Sequence, residues 1–310
     1  MTTNAHGKRF GSHGRRLARR GELRTGFTLI ELLVVVSLIS LLTAILVPAL
    51  GKVRQQARRV LSVGNMRQIV TSVNSFADEN HGRYPPTVAT IGYGDNWNYH
   101  EPTYLMTFTR RSVSPNRSLS TYLRSYISDA GTMVCPSAPL KHKYLQEAWD
   151  GGETWDNPDI PTPTDALLGT YCFYWNYVGY LSEEKGLFRG PTSSTGSPRE
   201  GSVLVTDYFG YDHSRNPNAY GSCERFRNAT VIEGTDISST FWSYPGEGTP
   251  EELARLDIQP SAGYVDGHVD SFAPADTIPM RVILHPETGQ PYDDADYAPG
   301  IFYLPRAGVR

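Results

Sequence analysis

The polar and apolar positions along this chain change character in three places. From Phe27 to Leu50, 24 residues, almost every position is apolar, and the polar exceptions are Thr28, Glu31, Ser37, Ser40 and Thr43. As a helix this stretch is roughly 36 Å long, enough to cross a hydrocarbon core of about 30 Å with some tilt. Hydroxyls in such a helix can bond back to the preceding turn. Glu31 cannot, and an acid near one end of a membrane span needs a headgroup position or a positive partner. From residue 51 to 80 the pattern turns amphipathic. Val53, Ala57, Val60, Leu61, Met66, Ile69, Val70, Val73, Phe76 and Ala77 recur mostly three or four apart, with Lys52, Arg54, Gln55, Arg58, Arg59 and Arg67 largely on the other face. No strong stop separates the two stretches, so one helix of about 50 residues is expected, with Gly64 as its soft spot. Gly82 and the Pro85-Pro86 pair close it.

Beyond residue 87 the helical period disappears. Short β-type runs are expected at 132–135, 170–178, 202–207, 229–232, 263–265, 268–272 and 301–304, with short helices at 118–127 and 250–256. The class is α+β. A long N-terminal helix, part membrane and part amphipathic, packs on an antiparallel β-sheet domain. The domain plan is a basic leader at 1–26, a transmembrane helix at 27–50, its amphipathic continuation at 51–80, and a globular domain at 81–310.

Charge sharpens this plan. The 310-residue chain has a net charge of −3, but the leader concentrates Lys8, Arg9, Arg15, Arg16, Arg19, Arg20 and Arg24 against the single acid Glu22. Without it the chain keeps 22 basic and 31 acidic residues, a net charge of −9. A basic tail before a span stays cytoplasmic. The protein is therefore expected in the cytoplasmic membrane as a single-pass chain, with its C-terminal domain periplasmic or extracellular. The acidic domain offers no basic patch for nucleic acid. In an oxidising compartment the three cysteines, Cys135, Cys172 and Cys223, allow one disulfide, with Cys135–Cys172 the preferred pair; three buried thiols are the alternative.

The hexapeptide Gly26-Phe27-Thr28-Leu29-Ile30-Glu31, after a basic tail and before the apolar run, resembles the processing site of type IV prepilins and type II secretion pseudopilins. The resemblance implies peptidase cleavage between Gly26 and Phe27 and N-methylation of Phe27. It implies as partners a prepilin peptidase/methyltransferase, other pilin-like subunits and the membrane. Glu31 would face the new ammonium of a neighbouring subunit and set register, since desolvation offsets much of the net attraction of such a pair. Pro48 matches a common pilin proline and is expected to kink the helix. A signal peptide is excluded by the length of the run and the lack of a small-x-small site; an ordinary signal anchor is the alternative. The stretch 65–86 resembles pseudopilin-like chains, especially the family with an H-x9-DG processing-associated motif. Gly263-Tyr264-Val265-Asp266-Gly267-His268-Val269 resembles the second half of that motif, but Leu256 stands where its histidine belongs.

Asp-Gly between apolar runs signals a hairpin with a type I′ turn. Asp266, His268 and Asp270 alternate, sharing one strand face, and with Asp293, Asp294 and Asp296 form a candidate metal site, for which calcium is the fitting ion; solvated carboxylates on a structural hairpin are the alternative. No cofactor is otherwise expected. Asp207, His213 and Ser214 could be assembled into a hydrolase-like set, but no G-x-S-x-G, H-E-x-x-H or phosphate loop is present, and no catalytic residue is assigned. The functional expectation is a structural or assembly subunit of a type II secretion or type IV pilus-like system. The alternatives are an anchored envelope-binding module that forms no filament, and an extracytoplasmic metal-dependent enzyme.

Overall fold

Residues 62, 66, 69, 70, 73 and 77 fall on one side of a helix, and burying that side is what the folded chain does with them. In the computed structural model, which describes residues 27–89, 102–107, 116–136, 143–159, 167–182, 184–211, 219–221, 230–233, 240–244, 253–255, 258–281 and 301–309, helix α1 runs unbroken from Leu29 to Glu79. Two compact units are present, Met1–Lys52 and Val53–Arg310. The first unit is described from Phe27 onward, and every residue from Phe27 to Leu50 is exposed. Its hydroxyls turn back on the helix as expected: Ser37 Oγ donates to the Val34 carbonyl at 2.8 Å, Ser40 Oγ to Val36 at 2.8 Å and Thr43 Oγ1 to Ile39 at 2.9 Å. The helix continues through Pro48, whose ring nitrogen has no proton for the preceding turn.

In the second unit α1 is followed by β1 (Tyr104–Met106), α2 (Ser120–Leu123), α3 (Leu145–Gly151), β2 (Leu167–Leu168), β3 (Tyr171–Phe173), β4 (Val178–Ser182), β5 (Gly186–Arg189), β6 (Val203–Asp207) and β7 (Phe209–Tyr211). Then come β8 (Ala219–Gly221), β9 (Thr230–Glu233), β10 (Thr240–Tyr244), β11 (Ser261–Tyr264), β12 (Val269–Ser271), β13 (Thr277–Arg281) and β14 (Ile301–Pro305). The strands form three antiparallel sheets: β1-β2, the four-stranded β12-β11-β6-β3, and the eight-stranded β5-β4-β13-β14-β7-β8-β10-β9. The α+β organisation is as expected.

The four-stranded sheet is the middle layer. Tyr171, Phe173, Val205 and Val269 share a core with Met66, Ile69, Val70, Val73 and Ala77 of α1 and with Leu123, Trp149 and Met133 beyond. The sheet's other face holds Cys172 and Ala262, which pack in a second core with Ile278, Met280, Phe302 and Leu304 of β13 and β14. At Gly263 the lack of a side chain makes room for the helix. A Cβ there would stand 2.6 Å from Val70 Cγ2 and 3.0 Å from Val205 Cγ1.

Beside this apolar contact runs a buried polar one. Tyr171 Oη and Ser62 Oγ are 2.9 Å apart, Ser62 Oγ reaches Asp207 Oδ1 at 3.4 Å, and Asp207 Oδ2 accepts the Ser261 amide at 2.7 Å. One element of the helix and three strands meet there. At its far end α1 closes with His81 (φ 57°) and Gly82 (φ 78°) in the left-handed region, and the Gly82 amide donates to the Ala77 carbonyl at 2.7 Å.

Several expectations need correction. Val53, Val60 and Leu61 are exposed, and the buried stripe begins only at Ser62. The expected strand at 132–135 is a 3₁₀ turn, Ala130–Met133, because the Asp129 carboxylate caps it by accepting the Gly131 amide. The expected single run at 170–178 breaks into β3 and β4 at a turn where Asn176 has φ 54°.

Gly263→Ala is expected to destabilise the protein by about 1–3 kcal/mol through overpacking against Val70. Gly64→Ala, whose new methyl meets nothing within 4 Å, is expected to stabilise it by about 1 kcal/mol. Chemical denaturation of the full chain in detergent would read both. Burial, and then the Asp207 carboxylate, push the Tyr171 hydroxyl above the usual phenol value of 10; burial, and then Asp78, do the same at Tyr84. The folded state thus holds these protons to higher pH than the unfolded one. The stabilisation is complete below about pH 10 and is lost as pH rises towards the folded values. Tyr171→Phe is expected to cost about 1 kcal/mol at neutral pH and to flatten the loss of stability above about pH 10.

Candidate functional site

The first helical turn of α1 is built by a reciprocal pair. The Thr28 amide donates to Glu31 Oε2 at 2.9 Å, the Thr28 hydroxyl donates to the same oxygen at 2.8 Å, and the Glu31 amide donates to Thr28 Oγ1 at 3.3 Å. This is a capping box: a Thr at the cap and a Glu three residues on satisfy each other's amides. The Leu32 amide then donates to the Thr28 carbonyl at 3.2 Å and starts the helical ladder. Phe27 precedes the cap, lies outside the helix and is 74 % exposed. Glu31 is exposed, and neither capping bond to its carboxylate uses Oε1. Gly26 lies outside the described residues.

Chemically this N-terminus presents three things together. There is a backbone segment kept out of the helix just before Thr28. There is a carboxylate one turn inside with one oxygen engaged and one to offer. Behind it lies an apolar helix with no buried residue through Leu50. Thr28 was not assigned a role from sequence, although the Thr-x-x-Glu spacing before an apolar run is the signal that finds it.

The C-terminal candidates sit on a hairpin. β11 and β12 pair with Gly263 opposite Val269 and Ala262 opposite Asp270. The connection is not the expected two-residue type I′ turn. It has three residues, closed by the Gly267 amide to the Tyr264 carbonyl at 3.0 Å and the Tyr264 amide to the His268 carbonyl at 3.0 Å, with Gly267 alone at positive φ, 92°. This is a type I turn followed by a left-handed glycine. Asp266 accepts from the His268 amide at 3.2 Å, and its carboxylate bonds the His268 ring at Nδ1. Burial raises the Asp266 carboxyl, but the hydrogen bonds and charge of His268 and the loop's own backbone together hold it below the usual range. Asp270 Oδ2 lies 4.0 Å from His268 Nε2. Among the described residues no group of three or more His, Cys, Asp or Glu side chains is placed to hold a metal ion. Asp293, Asp294 and Asp296, and with them Leu256, His213 and Ser214, lie outside the described residues.

The cysteines differ from expectation. Cys135 is disulfide-bonded, and Cys172 is in no disulfide, so the Cys135–Cys172 bridge is not made. Strand alternation is the reason. Tyr171 and Phe173 point into the core that contains Cys135, whereas Cys172 points through the other face of β3 into the second core. Cys223 lies outside the described residues.

The prokaryotic N-terminal methylation motif matches residues 23–47, which contain the Gly26–Phe27 bond, the capping box and most of the apolar run. Over this segment the chain is type IV prepilin-like, and its N-terminal helix is long and apolar enough to cross a membrane. No curated protein and no solved structure matches the chain.

Alkylation of the denatured, unreduced protein is expected to modify Cys172 and to leave Cys135 unmodified. Peptide mass spectrometry before and after reduction checks this.

Proposed function

We propose that the chain is cut between Gly26 and Phe27, methylated on the new amino group of Phe27, and used as a structural or assembly subunit of a type II secretion or type IV pilus-like filament. The observation that carries this reading is the methylation motif at 23–47 coinciding with a fully exposed apolar helix whose first turn is closed at Thr28. The capping box starts the helix at Thr28, so Phe27, on the C-terminal side of the bond to be cut, lies outside it. Cleavage also removes the basic leader, leaving an acidic chain held by one membrane helix.

In the assembled state the ammonium of Phe27 would meet Glu31 of a neighbour. Oε2 stays with Thr28 and Oε1 takes the incoming charge, so the helix start need not unravel to make the intersubunit pair. Such a pair sets axial register more than it adds stability. The partners in this reading are a prepilin peptidase/methyltransferase and other pilin-like subunits. The basic leader keeps the N-terminal side cytoplasmic and places the β-rich domain across the membrane.

Mass spectrometry of the mature N-terminus, on protein taken from membranes, tests the reading. The expected chain begins at N-methyl-Phe27. A chain that keeps its leader overturns it. Recovery of the processed chain in sheared filament fractions is expected in addition, and processed chain confined to membranes would reject the filament role.

A further inference from the structure

On the surface of the second unit lies an open groove of about 480 Å³, within the usual range of ligand clefts. Its two walls are a loop, residues 194–202, and the β11–β12 hairpin, and the Val265 amide joins them by donating to the Ser202 carbonyl at 2.9 Å. We propose that this groove binds a neutral sugar unit.

The hairpin wall supplies a flat stacking surface. His268 lies on Tyr264 with ring centroids 4.3 Å apart and planes only 12° from parallel. Tyr264 is buried, whereas the His268 side chain is 49 % exposed. The bond from its ring to Asp266 fixes the imidazole's tilt. One ring face is therefore backed by Tyr264 while about half of the side chain stays exposed, and an open ring face is the arrangement that takes the C–H face of a pyranose.

The loop wall supplies hydroxyls, from Ser194, Thr195, Ser197 and Ser202. Each both donates and accepts, matching the rim of a sugar. The loop is also held in place. Glu200 accepts from the Thr192 amide at 3.1 Å and from its hydroxyl at 2.9 Å, and the Ser194 amide donates to the Gly82 carbonyl at the end of α1 at 2.8 Å. A pre-formed loop orders little on binding, which lowers the cost of a weakly held neutral ligand.

Charge narrows the class. Among the described residues the lining holds no lysine or arginine, although Arg199 stands in the loop wall between Pro198 and Glu200, and the lining acids are Glu200 and Asp266. The lining itself therefore favours an uncharged ligand over phosphates, sulfates and uronic acids. An ammonium ligand fits less well than a neutral one. Both Glu200 oxygens already accept from Thr192, and Asp266 is committed to His268, so both acids serve mainly to fix the walls. The loop hydroxyls of Ser194, Thr195 and Ser197 each have one protein partner and keep capacity for another, so a ring face and hydroxyls are what the groove offers.

Isothermal titration of the full chain, in a detergent without a sugar headgroup, tests this with chitotetraose, cellotetraose and maltotetraose, and with spermidine and inorganic phosphate alongside. Saturable binding of at least one oligosaccharide is expected, weakened about tenfold or more by His268→Ala, as for loss of one stacked ring. His268→Phe, which keeps a stacking face, is expected to retain most of the affinity and separates a lost platform from a disturbed hairpin. No binding of any of the three sugars overturns the proposal. So does sugar binding that is unchanged in His268→Ala, or binding of spermidine or phosphate in place of the sugars.

Discussion

Everything in the second unit depends on one burial: the stripe Met66, Ile69, Val70, Val73 and Ala77 against the four-stranded sheet. These five side chains are among the most completely buried in the described structure. At about 25 cal/mol per Å² of apolar surface removed from water, such a stripe outweighs any single polar contact nearby. It sets the other layers as well. With one sheet face committed to the helix, the opposite face must find its own cover, and β13 and β14 supply it through Ile278, Met280, Phe302 and Leu304.

The parts of this structure legible in the sequence are those where one chemical periodicity dominates. The apolar run, the amphipathic stripe after it, and the strands at 203–207 and 301–305 are of this kind. What stayed hidden depends on where a partner ends. Val53, Val60 and Leu61 carry the same pattern as Met66 and Val70, yet the sheet and its neighbours do not cover them, and no local signal states how far a distant layer reaches. Trp149 sits in α3, a helix of seven residues, too short for a period to show. β13 contains Pro279, which argues against a strand, and it is tolerated there on an exposed position. The cysteines show the same limit. Cys135 and Cys172 were the preferred pair, and the sheet placed them in different cores.

At the N-terminus the sequence carried more than was read from it. Glu31 stands out as the lone acid in an apolar run, and attention to it passed over Thr28. The structure pairs them, so the acid has an intrachain task before any neighbour arrives. An acid that is half satisfied at home costs less to desolvate when it later faces an ammonium, because one of its oxygens already has its hydrogen bonds. The candidate groove makes the complementary point. Its walls come from residues 194–202 and 264–268; the second stretch stood out in the sequence for its Asp266 and His268, whereas nothing in the first marked it as the facing wall.

An apolar stripe is nearly self-similar. Sliding α1 by four residues, about 6 Å, would bring Met66 to the place of Val70, Ile69 to that of Val73 and Val73 to that of Ala77, keeping three of the five places apolar while Ser62 and Asn65 came to those of Met66 and Ile69. Two features break that degeneracy. The notch at Gly263 admits Val70 where a larger side chain would collide, and Ser62 reaches Tyr171 and Asp207 in one setting only. Together they act as a detent, so the helix is indexed against its sheet to a single position. A helix fixed in this way resists an axial load along its packed half, where a merely oily contact would slip.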